Sequence, residues 1–152
     1  MKTRTARAED YSLIQALLIA SELPVEDLPE NAPIRFLIVE YPGAQFGGCI
    51  GLEVHGRDGL VRSLAVQSNL RAYGAGKTLV DAVQRLAATE GIERLWLLTT
   101  TASAFFLQAG YEIADRATAP ELIRRSLQFA SICPASAICM TRTLRPPSGD
   151  AA

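Results

Sequence analysis

Residues 60–99 run as strand, glycine loop, helix, strand, and this succession restricts the chain to folds with a parallel crossover. Leu60–Val66 (LVRSLAV) reads as a strand. The loop after it carries Gly74 and Gly76, and Lys77–Glu90 sets Val80, Val83, Leu86 and Ala87 on one helical stripe. Gly91 stands where helices commonly end. Leu95–Thr99 (LWLLT) is a continuous apolar run, which suits a strand covered on both faces. A strand–loop–helix–strand unit of this kind makes its two strands parallel neighbours.

The flanking segments supply an antiparallel frame. Lys2–Arg7 is expected as a short strand and Ala8–Ala20 as a helix with Tyr11, Ile14, Leu17 and Leu18 on one face. Pro24, Pro29 and Pro33 interrupt the chain after this helix and leave room for a short helix near Val25–Leu28. Ile34–Tyr41, Phe46–His55 and Leu60–Val66, joined through Pro42-Gly43 and Gly56-Arg57-Asp58-Gly59, form a meander. Downstream, Ala102–Ala109 is a short helix, Tyr111–Asp115 a strand, and Ser136–Leu144 the last strand. Thr118, Pro120 and Glu121 have the spacing of a helix start, and that helix is expected to run to about Ala130. The fold class is α+β, with helices on both faces of a mixed central sheet of six to seven strands.

Length and charge bound the function. With 152 residues, 49% of them hydrophobic, the chain suits one domain over residues 1–145 with a disordered tail at 146–152. A net charge of −1 lacks the basic surface that nucleic acid demands. No apolar run reaches a membrane span, and the N-terminus has no apolar signal core. Three cysteines, Cys49, Cys133 and Cys139, show no CxxC spacing, so reduced thiols in a cytoplasmic chain are expected, with no metal site. Thiolate capture of a metalloid by Cys133 and Cys139 is the competing idea, set against ordinary burial.

Gly74-Ala75-Gly76-Lys77-Thr78 ends like a Walker A loop, but the first glycine of that motif would fall on Arg71. The dinucleotide pattern G-x-G-x-x-G fails as well, since Leu79 takes the place of the third glycine. The loop is therefore either a tight turn or an anion cradle. Two glycines clear side chains from the backbone N–H groups, and a helix N-terminus adds its positive dipole end. That is a pyrophosphate site without the metal apparatus of a nucleotide hydrolase.

Ser63-Leu64-Ala65-Val66 followed by Leu70-Arg71-Ala72-Tyr73-Gly74-Ala75-Gly76-Lys77 resembles the cofactor motif Q/R-x-x-G-x-G/A of the GNAT superfamily of N-acetyltransferases. Thr101–Tyr111 (TASAFFLQAGY) is similar to that family's second motif, A-x-x-F-Y-x-x-x-G-F, and the order of elements matches over the whole chain. The stretch Leu95–Ala102 with Phe105-Phe106 resembles amino-acid N-acetyltransferases. The pattern Ala119-Pro120-Glu121-Leu122-Ile123, Phe129 and Cys133–Ala137 resembles small N-acetyltransferases of arsenic-resistance operons.

The resemblance implies acetyl-CoA as co-substrate and a small amine as acceptor, with a homodimer as one state the family adopts. It implies that the strand Leu64-Ala65-Val66 splays from its parallel neighbour and pairs with the pantetheine arm. The Leu64 N–H would polarise the thioester carbonyl, and the amides of Arg71, Ala72, Tyr73, Gly74, Ala75, Gly76 and Lys77 would take the pyrophosphate. Phe106 falls at a cofactor-side position where many members carry a tyrosine acid, and phenylalanine donates no proton. Tyr73 and Tyr111 are the alternative donors.

Acetyl transfer to an amine also needs a neutral nucleophile. Glu53 and His55 share one face of a strand, and Glu53 is the candidate base or ammonium-binding group. Arg62, on the strand leading to Leu64, is the candidate for a substrate carboxylate, with Arg116 and Arg124 as weaker versions. The expected function is transfer of acetyl from acetyl-CoA to the amine of a small amino acid or amino-acid-like toxin. The alternative is an acyl-CoA-binding sensor with little catalysis, which the phenylalanine at 106 would suit.

Overall fold

A computed structural model describes residues 1–25, 34–69, 74–126, 128–132 and 134–144, with the side chains at 131 and 132 outside that description. The expected helix near Val25–Leu28 lies mostly, and the tail at 146–152 wholly, outside the described residues. Seven strands form one mixed sheet: β1 (Lys2–Thr5), β2 (Ile34–Tyr41), β3 (Gln45–His55), β4 (Asp58–Val66), β5 (Arg94–Thr99), β6 (Glu112–Ile113) and β7 (Ile138–Thr143). Their spatial order is β1-β2-β3-β4-β5-β7-β6. The helices are α1 (Tyr11–Ala20), α2 (Ala75–Thr89), α3 (Ser103–Gln108) and α4 (Glu121–Arg124). Chain contacts gather into two units, one of residues 1–53 and 61–83, the other of residues 54–60 and 84–152.

In the first unit, β1 and β3 flank β2, both antiparallel to it, with Thr3 opposite Val39 and Ile38 opposite Cys49. The core gathers Ile14, Leu17 and Leu18 of α1 with Phe36, Ile38, Cys49 and Ala65. The chain enters α1 through a 3-10 turn at Ala8–Asp10, so the α-helix starts three residues later than the expected Ala8. Tyr11, expected on the buried stripe, is exposed; its ring meets Phe36 edge-on at 5.9 Å. The turn is fixed by Asp10, which accepts the Arg7 backbone N–H at 2.7 Å and the Arg4 guanidinium at 2.8 and 3.1 Å. Arg4 also pairs with Glu40 on β2 at 3.1 Å.

In the second unit, β4 and β5 are parallel, with Asp58 opposite Arg94 and Leu60 opposite Trp96. This is the crossover the sequence demands. β7 runs antiparallel to β5 and β6. Leu60, Trp96, Ala119, Ile123, Phe129 and Cys139 make the core. α2 ends as expected at Gly91, where the Ile92 N–H reaches back to the Ala87 carbonyl at 3.0 Å.

The long helix expected from Thr118 to Ala130 is not continuous. Asp115 captures the local amides instead, accepting from Ala117 N–H at 3.0 Å, and Thr118 Oγ1 donates to the Asp115 carbonyl at 2.6 Å. A 3-10 turn at Arg116–Thr118 results, and Thr118 caps nothing. α4 closes after one turn, where Ser126 Oγ donates to the Ile123 carbonyl at 2.6 Å and competes with the helical ladder. Gln128–Ile132 then forms one π-helical turn. Arg116 holds it, donating to the Phe129 and Pro134 carbonyls at 2.7 and 2.9 Å. The strand expected over Tyr111–Asp115 shrinks to Glu112–Ile113, because Tyr111 is committed to the core.

Candidate active site

The site begins with three glycines in β3. Strand glycines weaken a sheet, and they often mark a place where another backbone comes close. At Gly48 a Cβ would lie 2.5 Å from the Ala65 carbonyl oxygen and 3.1 Å from Val66 Cα, so the neighbouring strand β4 comes unusually close to this residue. At Gly51 a Cβ would lie 3.3 Å from Arg62 Cγ. Gly48 and Gly51 leave room on β3 for the close approach of Ala65, Val66 and the Arg62 stem on β4.

Beside these glycines the backbone of β4 departs from regular strand geometry. Ser63 has φ +60°, a left-handed backbone inside a strand, which is uncommon for a residue with a Cβ. Such a residue breaks the regular alternation of N–H and C=O groups along the strand. Cys49 Sγ contacts the Ser63 carbonyl at 3.4 Å. Leu64 follows at once and is half-buried, while Ala65 and Val66 are buried.

The charged pair of the site sits on the same two strands. Arg62 Nη1 donates to Glu53 Oε2 at 2.8 Å, and Arg62 Nε donates to Ser63 Oγ at 3.0 Å. The Arg62 side chain is fully buried and that of Glu53 is 9% exposed. The sequence leaves Arg62 awaiting a substrate carboxylate; the fold has already given its guanidinium two partners. His55, at the far end of β3, is half-buried.

Downstream, Leu70, Arg71, Ala72 and Tyr73 lie outside the described residues, so the expected roles of Arg71, Ala72 and Tyr73 rest on sequence. The chain resumes at Gly74, with φ +78° and nothing within 4 Å of where a Cβ would stand. The Thr78 N–H donates to the Gly74 carbonyl at 3.1 Å and opens the helical ladder. The amides of Ala75, Gly76 and Lys77 precede that first bond and belong to the turn where the positive dipole end collects. Gly74 and Lys77 are exposed, Gly76 is half-buried and Ala75 is buried. Lys77 Nζ lies 3.1 Å from Asp81 Oδ2 on the exposed face of α2, so its charge is partly matched already.

Phe106 belongs to the second unit and is 5% exposed. Its ring stands edge-on to Phe105 at 5.2 Å and to Tyr111 at 5.4 Å. The Tyr111 hydroxyl is buried, and burial pushes it up to about 12, so it stays protonated and is a weaker acid than a free phenol. The Gln84 amide is beside it, yet neither the hydroxyl nor Gln84 Nε2 makes a hydrogen bond of good geometry.

Both described cysteines are core residues. Burial pushes the Cys49 thiol up to about 12 and the Cys139 thiol up to about 11. Below those values the thiols stay protonated and unreactive. In a Cys133→Ser variant at pH 8, iodoacetamide should modify neither thiol over hours until denaturant is added; mass spectrometry reads the result. Among the described residues no group of three or more His, Cys, Asp or Glu could hold a metal ion, and no helix is long and apolar enough to cross a membrane.

Residues 32–113 match the family model of the acetyltransferase (GNAT) domain. The chain belongs to the GNAT acetyltransferase family. It is an N-acetyltransferase of the family whose co-substrate is acetyl-CoA. An uncharacterised N-acetyltransferase of Chlorobaculum tepidum is 29% identical over 153 residues, covering 93% of this acetyltransferase and 95% of the relative. An amino-acid acetyltransferase of Ralstonia nicotianae is 31% identical over 96 residues, 62% of this chain and 21% of that one. Among solved structures, the N-acetylglutamate synthase of Neisseria gonorrhoeae, complexed with coenzyme A and N-acetyl-glutamate, superposes with a TM-score of 0.80 at 25% identity. That match covers 95% of this acetyltransferase and 35% of the synthase.

Two positions of the site escape sequence reasoning. Gly48 reads in sequence only as one of three strand glycines, and Ser63 only as the start of a motif. The glycine cluster in β3 is the available signal for a close backbone approach. Nothing in the local sequence signals a left-handed serine.

Proposed function

We propose that this acetyltransferase moves the acetyl group of acetyl-CoA to the α-amine of a small amino acid or amino-acid-like toxin, within one catalytic domain spanning residues 1–145. The observation that carries the reading is the left-handed Ser63 inside β4, two strand positions before Ala65-Val66 and upstream of the glycine-opened α2. A left-handed residue there interrupts the regular strand geometry just before Leu64, and we take the Leu64 N–H to turn out of the ladder. An N–H so placed can stabilise the thioester oxygen as it gains charge. Leu64, Ala65 and Val66 then meet the pantetheine arm, and Arg71–Lys77 with the first turn of α2 take the pyrophosphate.

Glu53 is proposed as the group that receives the amine proton, directly or through water. Arg62 is assigned to holding Glu53 rather than to a substrate carboxylate, since its guanidinium is buried and engaged. Phe106 contributes packing from α3 against Tyr111, and the leaving thiolate departs without a side-chain acid, which a thiol of pKa about 8.5 tolerates. The amino-acid class draws support from the amino-acid acetyltransferases among the relatives. The toxin class, arsenic-bearing amino acids included, draws on the sequence resemblance alone.

The test is thiol release from acetyl-CoA against glutamate, other amino acids, phosphinothricin, an arsenic-bearing amino acid, polyamines and aminoglycosides. Release is expected with an amino-acid-like amine. Glu53→Gln should lower kcat/KM for that amine by about a hundredfold while CoA binding holds. Release with polyamines or aminoglycosides alone would overturn the substrate class, and full activity in Glu53→Gln would remove Glu53 from the reaction.

A further inference from the structure

Ser63 sits in a backbone region that a serine seldom occupies, so the surroundings must hold it there. Arg62 Nε donates to Ser63 Oγ at 3.0 Å, and Cys49 Sγ contacts the Ser63 carbonyl at 3.4 Å. The other end of the guanidinium is tied to Glu53 on β3 at 2.8 Å. The stem of Arg62 lies against Gly51, where any side chain would press on Cγ. One buried arginine thus spans from β3 to the side chain of Ser63.

We propose that Arg62, clamped by Glu53 and grasping Ser63, is a positioning residue that sets the direction of the Leu64 N–H. The inference rests on the reading of that N–H as the group polarising the thioester. A guanidinium suits the task because its planar fork presents Nε and Nη1 at fixed angles to two acceptors. A lysine keeps the charge but places only one nitrogen, so it cannot reach Glu53 and Ser63 in the same geometry. The hydroxyl of Ser63 is the handle. Glycine at 63 removes the handle and also the need for it, because glycine adopts positive φ without a Cβ penalty.

The experiment compares the wild type with Arg62→Lys, Ser63→Ala, Ser63→Gly and the double variant Arg62→Lys/Ser63→Gly. Two readouts are taken: steady-state kinetics with the amine that supports thiol release, and the 1H–15N resonance of the Leu64 amide in the CoA complex. Arg62→Lys and Ser63→Ala should lose roughly tenfold to a hundredfold in kcat, the scale of a misplaced oxyanion donor, with CoA affinity within about twofold. Their Leu64 resonance should shift. Ser63→Gly should stay within about threefold of wild type, and the double variant should recover most of the kcat lost in Arg62→Lys.

A purely structural arginine would not be rescued by a glycine at its neighbour. An effect confined to KM for the amine would make Arg62 a substrate-binding group and overturn the proposal. So would an unmoved Leu64 resonance in Arg62→Lys. If the wild type binds CoA but turns over no amine, the functional reading fails, and the Leu64 resonance alone then decides whether the brace exists.

Discussion

Gly48→Ala should lower the unfolding free energy by roughly 2–3 kcal/mol and weaken acetyl-CoA binding, while Gly47→Ala should cost less than about 1 kcal/mol. The two substitutions are chemically identical and adjacent, and the difference lies in what the new methyl meets. At Gly48 it meets backbone: the Ala65 carbonyl oxygen at 2.5 Å and Val66 Cα at 3.1 Å. β4 cannot yield without moving the segment after Ser63. At Gly47 the severe contact is with a side chain, the ring edge of Tyr41 at 2.5 Å, while the nearest backbone atom, the Val39 carbonyl oxygen, stands off at 3.2 Å; Tyr41 is half-buried near the end of β2. A ring can rotate where a strand cannot. Denaturant unfolding of both variants and CoA titration of each check this. Equal losses would mean that β4 does not depend on the space Gly48 leaves beside it.

Asp10→Asn should remove about 2 kcal/mol of stability at neutral pH and flatten the acid side of the stability curve. Arg4 bonds the Asp10 carboxylate and holds it below the usual carboxylate range, with the Arg7 N–H adding to the effect against the opposing pull of burial. Folding therefore lowers the proton affinity of Asp10. The stability this supplies is complete above the unfolded value of about 3.9 and is lost as pH falls through the lower folded value. Arg4 is one-fifth exposed and keeps Glu40 as a partner, so solvent screening keeps the cost below that of a fully buried pair. Urea unfolding at pH 7 and at about pH 2 in both proteins separates the terms. Identical acid slopes would place the acid sensitivity elsewhere.

Much of the fold is legible in the sequence because hydrophobic period and turn chemistry point the same way over long stretches. The meander, the βαβ crossover and the end of α2 at Gly91 all arise from patterns that span many residues. The segment from Asp115 to Ile132 is not legible, because short side-chain bonds decide it. Thr118 looks like a cap, but Asp115 reaches the amides first; Ser126 looks neutral, but its hydroxyl ends a helix. The opening of α2 is legible by motif, since Gly74 adopts the positive φ that favours glycine. The Glu53–Arg62 pair is half legible: each residue stands out alone, yet their meeting at 2.8 Å depends on strand register that no local pattern encodes. Ser63 is illegible as a left-handed residue, because tertiary contacts rather than its own preference hold it.

Trp96 is the sole tryptophan of the chain, and its indole is buried, with Nε1 donating to Asp58 at 3.2 Å and the Arg94 guanidinium 5.8 Å from its ring. Its emission therefore comes from one spot, the point where β4 and β5 run parallel. Fluorescence unfolding curves track the loss of that strand pair, while far-ultraviolet dichroism averages over every element. Overlaying the two signals in one titration turns a single indole into an optical clock for the crossover, independent of any substrate.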